Sequence, residues 1–85
     1  LKEVTLVEEF FEQARKILAE QLGLEPESIT WDTTFDEIDA DSIDIVEMLM
    51  ALEDIYDVEF PEDNLEDYKT MGTLIKALYQ VISAK

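Results

Sequence analysis

The chain has 85 residues, enough for one domain and one core over residues 1–85. Its 22 acids against 6 bases give a formal net charge of −16, a surface that repels nucleic acid phosphates and anionic lipid and attracts basic protein patches. It contains no Cys and no His, which removes disulfides, Cys/His zinc sites, thiol chemistry and the commonest general base.

Residues 3 to about 21 are expected to form an amphipathic helix, because Val7, Phe10, Phe11, Ala14, Ile17, Leu18 and Leu22 recur at helical spacing. Acids lie early in it and Arg15 and Lys16 late, the order that the helix dipole favours, and Gly23 suits its C-terminal stop. A long connection runs from Gly23 to about Asp41. Ile29, Trp31, Phe35 and Ile38 are spaced through it and are expected to pin it across the bundle. Loops of this length in a small domain are usually functional.

A second helix is expected over residues 42 to about 56, with Asp41 and Ser42 both good N-cap residues. A short helical turn is expected over about Glu62 to Asp67, entered through Pro61. Thr70 can cap a last helix that carries Leu74, Ile75, Leu78, Val81 and Ile82. The expected fold is therefore all-α: a small up-and-down bundle of three main helices plus one short one, with a long loop between the first and second helices. No apolar run approaches the roughly 20 residues that span a bilayer. No signal-peptide pattern is visible. A cytoplasmic monomer that does not insert into membranes is the expectation.

On a helical wheel the second helix has two apolar faces. Ile45, Met48, Leu49, Leu52, Ile55 and Tyr56 form a broad core arc. Ile43, Val46 and Met50 fall on the other side, interleaved with Glu47, Glu53, Asp54 and Asp57 and edged by Asp44. Two readings fit this second stripe. It is a solvated face with Ile43 tucked under the loop, or it is a transient interface in which acids steer and apolar groups supply contact. The absence of any Lys or Arg between Lys16 and Lys69 favours the interface, since surfaces built for stability intersperse both signs.

No catalytic residue is assigned. Carboxylates are abundant, but a bundle this small seldom supplies the cleft that shifts a pKa. No metal site is assigned either. A calcium loop from Asp39 fails, because the turn glycine is missing and its twelfth position is Met50. Ser42 has two readings: a helix N-cap, or an attachment point presented to a modifying enzyme at a helix start. Without a His it does not make an autonomous hydrolase.

The run Ile38-Asp39-Ala40-Asp41-Ser42-Ile43-Asp44 resembles the phosphopantetheine attachment motif of acyl carrier proteins, usually Leu-Gly-Ala-Asp-Ser-Leu-Asp. Val46-Glu47-Met48, Ala51-Leu52-Glu53-Asp54, Tyr56 to Pro61 and Thr70-Met71-Gly72 resemble the rest of the family pattern in order and spacing. The resemblance implies that Ser42 carries 4′-phosphopantetheine taken from coenzyme A and that Asp41 helps present it to a phosphopantetheinyl transferase. It implies that Ile43, Asp44, Val46, Glu47, Met50, Glu53 and Asp54 dock partner enzymes that bear basic patches. A non-catalytic carrier that delivers acyl thioesters to the enzymes of fatty acid biosynthesis is the function it implies. The alternative is a carrier of a specialised polyketide, nonribosomal peptide or lipid-tailoring pathway. Two positions depart from the family pattern. Asp39 stands where a Gly is usual, and Ile43 stands for Leu, a change also found in peptidyl carrier domains.

Overall fold

The computed structural model describes residues 6–61 and 65–83. They form three α-helices, α1 Leu6–Leu22, α2 Ser42–Tyr56 and α3 Met71–Ser83, with 3-10 turns at Pro26–Ser28 and Leu65–Asp67. The architecture is the expected small helical bundle, and α1 packs against both α2 and α3. Among the described residues there is no strand, only an isolated antiparallel bridge between Thr34 and Thr70. Positions 3–5 of the first expected helix and 62–64 of the expected short turn lie outside the described residues.

The apolar period of each helix becomes its buried face. Phe10, Ala14 and Leu18 of α1 are fully buried against Met48, Leu49 and Leu52 of α2 and Met71, Leu74 and Ile75 of α3. Each large side chain so buried contributes about 1.5–3 kcal/mol relative to exposure. Phe10 meets Tyr56 edge-on at 5.2 Å and lies within 6.1 Å of the Phe60 and Tyr79 rings, so α1, α2, α3 and the segment after α2 share one aromatic centre. Gly23 ends α1 with φ +71°, the left-handed conformation that glycine adopts without a Cβ penalty.

One core assignment is corrected. Ile55, placed in the core arc of α2, is 53 % exposed. It lies one turn beyond Leu52 but rotated about 60°, at the edge of the arc in the last turn of the helix.

The long connection is pinned as its apolar spacing predicts. Ile29 and Phe35 are buried, and Trp31 and Ile38 pack against the core. The Trp31 ring stacks on Phe11 with centroids 4.2 Å apart and planes 13° from parallel. Arg15 lies over the Phe11 ring of that stack, pairs with Glu12 and donates to the Ile29 carbonyl at 3.2 Å. At the far end, the Met71 and Gly72 amides donate to the Thr33 and Trp31 carbonyls, both at 2.8 Å. A Cβ on Gly72 would stand 2.6 Å from the Trp31 carbonyl oxygen, so this close approach of loop to helix requires glycine.

Candidate functional site

The connection closes in two steps just before α2. Thr34 and Glu37 bond reciprocally: the Thr34 amide donates to the Glu37 carboxylate at 2.7 Å, and the Glu37 amide donates to the Thr34 hydroxyl at 3.2 Å. The Asp39 amide then donates to the Asp36 carbonyl and the Ala40 amide to the Phe35 carbonyl, at 3.2 and 2.9 Å. The chain reverses through Asp39, whose φ of +56° lies in the left-handed region. The departure at this position thus has a physical content: the turn asks for the backbone that glycine gives freely, and Asp is among the few other residues that tolerate it.

Asp41 is the N-cap of α2. Its carboxylate accepts from the amides of Ile43 at 3.0 Å and Asp44 at 3.1 Å, and the Asp44 carboxylate accepts in return from the Asp41 amide at 3.2 Å. This is a reciprocal capping box built from two aspartates. It decides between the two candidate caps and moves Ser42 to the first helical position. Ser42 is exposed there, and its hydroxyl has no hydrogen-bond partner among the described residues. The free amides that a helix start offers to a phosphate are, at Ile43 and Asp44, already occupied by Asp41.

Ser42 opens onto a cleft of about 330 Å³. Phe35, Ala40, Ile45 and Leu65 give it apolar walls, and Thr34, Asp36, Glu66, Tyr68 and Lys69 give it polar ones. Sequence reading missed this cleft, because its walls come from segments about 30 residues apart.

The α2 residues read as a docking set divide by position. Ile43 and Met50 are 67 % and 55 % exposed, and Glu47 and Asp54 are exposed between and beyond them. These four recur at i, i+4, i+7 and i+11, one stripe along the outer face of the helix. Val46 is half-buried and packs against the core. Asp44 is committed to the capping box, and Glu53 accepts from the Phe60 amide at 2.8 Å, which ties the segment after α2 back to the helix. Glu47 also accepts from Gln21 at 3.0 Å, across to the end of α1.

The family model for a phosphopantetheine attachment site matches residues 12–78, most of the chain. The chain belongs to the phosphopantetheine-binding family of acyl carrier proteins. Its prosthetic group is therefore 4′-phosphopantetheine, held covalently, and domains of this kind are non-catalytic carriers modified by a phosphopantetheinyl transferase. The described residues fit such a group. A phosphodiester link needs an uncommitted hydroxyl within reach of an enzyme, and the arm needs room beside it. The exposed Ser42 hydroxyl and the adjoining cleft meet those two needs. None of the described helices is long and apolar enough to cross a membrane.

Proposed function

We propose that Ser42 is the attachment residue and that this carrier delivers acyl chains to the enzymes of fatty acid synthesis. The observation that carries the reading is the division of roles at the start of α2: Asp41 performs the capping, and the Ser42 hydroxyl is left free at the mouth of a cleft. When bound, the arm supplies a thiol that holds the cargo as a thioester. The chain's own residues position that arm, shelter part of its cargo and present both to other proteins. The apolar walls of the cleft, Phe35, Ala40, Ile45 and Leu65, suit a hydrocarbon chain better than a polar aminoacyl group.

Partner enzymes dock on the outer stripe of α2. Glu47 and Asp54 steer a basic patch, while Ile43 and Met50 supply contact. Val46 and Glu53 act from the flank, where one packs and the other holds Phe60. Asp54→Lys should slow association with a basic acyl-transfer enzyme, and high salt should close the gap to the parent. Met50→Ala should instead speed dissociation with weak salt dependence. Glu20→Lys on α1 is the control of equal charge change at another exposed acid.

The test of the function is a loading assay with the arm attached. A purified acyl transferase of fatty acid synthesis should load the carrier, and an amino-acid-activating enzyme of peptide synthesis should not. Loading by the second and not the first overturns the pathway. Equal impairment by Glu20→Lys and Asp54→Lys overturns the docking face.

A further inference from the structure

Once attached, the phosphodiester on Ser42 enters a neighbourhood that does not welcome an anion. The amides of Ile43 and Asp44 are taken by the Asp41 carboxylate. Asp39, Asp41 and Asp44 all lie within three residues of the serine. Between Lys16 and Lys69 the sequence offers no base at all. Lys69 is the base that lines the cleft onto which Ser42 opens.

We propose that Lys69 anchors the phosphodiester of the arm carried on Ser42, an inference that rests on Ser42 being the attachment residue. The Lys69 backbone is fixed at the cleft wall, because its carbonyl accepts from the Phe35 amide at 3.1 Å and its neighbour Thr70 bridges to Thr34. Its side chain is exposed and makes no ion pair with a described residue. The other bases of the folded helices have different surroundings. Arg15 is engaged with Glu12, Phe11 and Ile29, Lys76 lies over the Trp31 ring, and Lys16 stands on α1, which contributes nothing to the cleft. Asp36 and Glu66 line the same cleft and compete for the ammonium, so the coupling is modest and sensitive to salt. The consequence for function is orientation. An arm tethered by its phosphate to Lys69 leaves Ser42 along the cleft, toward Leu65 and Tyr68, and away from the outer stripe of α2.

The test is a thermal-melting cycle on protein with and without the arm, with attachment verified by intact mass before any melt. Attachment should lower the midpoint of Lys69→Gln by about 1–5 °C more than that of the parent, the size expected for loss of one exposed ion pair in a domain of this length. Lys69→Arg should behave as the parent, because it keeps the charge. Lys16→Gln should also behave as the parent, although it changes the net charge as much as Lys69→Gln does. The difference should shrink at high salt. If attachment shifts Lys69→Gln and the parent equally, or Lys16→Gln as much as Lys69→Gln, the anchor is overturned and Ser42 is untouched. If the parent accepts no arm, Ser42 fails and the anchor fails with it.

Discussion

Two helices of this bundle begin beside a hydroxyl residue, and they use it differently. At α3 the Thr70 hydroxyl is the cap: it accepts from the Thr73 amide at 3.2 Å, while the Thr73 hydroxyl accepts from the Thr70 amide at 3.3 Å. The same helix start is sewn to the long connection through the Met71 and Gly72 amides and the Thr34–Thr70 bridge. At α2 a pair of aspartates does the capping, and the hydroxyl one residue later is left over. One start is closed, with the amides from Thr70 to Leu74 all committed to the fold. The other leaves the Ser42 Oγ without a hydrogen-bond partner among the described residues. A hydroxyl that caps its own helix would have to give up that bond to be modified, whereas a hydroxyl beside a capping aspartate can be modified with the helix intact.

Mutations that break this contrast should rank by how much structure each residue holds. Gly72→Ala should be the most damaging, by about 1–3 kcal/mol, since its Cβ would meet the Trp31 backbone oxygen at 2.6 Å and neither backbone can yield without losing the seam. Urea denaturation followed by Trp31 fluorescence reads it directly, because Trp31 is the chain's one tryptophan. Asp41→Ala and Thr70→Ala each remove a cap and should lower stability by about 1 kcal/mol in the same experiment. A much larger loss for one than for the other would show that the two boxes are not equivalent. Asp39→Gly should raise stability by less than about 1 kcal/mol, as relief of the left-handed backbone outweighs the added entropy of the unfolded chain. Destabilisation by that change would mean that the Asp39 side chain supports the turn.

The helices and most of their buried faces were legible because apolar residues recur at the helical period, and that period is set by burial. The pinning of the connection was legible for the same reason, in Ile29, Trp31, Phe35 and Ile38. Ile55 was misplaced because a wheel gives direction without saying which neighbour is present, and Ile55 stands at the edge of the arc in the last turn of α2, 53 % exposed. The site was legible as a motif and ambiguous as a geometry. Asp41 and Ser42 are both good caps by residue type, and only the hydrogen bonds of the folded chain assign the role. Asp39 carried a faint signal, a residue standing where the family uses glycine, and its positive φ explains that usage. Lys69 carried none. Its place beside Ser42 depends on the antiparallel contact between residues 33–35 and 69–71, which no local pattern announces.

The smallest stability effect and the largest functional one should coincide at Ser42. Ser42→Ala should change stability by less than about 0.5 kcal/mol, because the hydroxyl removed holds no hydrogen bond to a described residue and alanine is a good helix former. The decisive measurement is peptide-mapped mass spectrometry of parent and Ser42→Ala after incubation with coenzyme A and a phosphopantetheinyl transferase. The parent should gain one phosphopantetheine, located on the peptide that contains Ser42, and the variant should remain folded and unmodified. Modification at Ser28, Ser83 or any other residue of the parent, or any modification of the Ser42→Ala protein, would contradict the assignment.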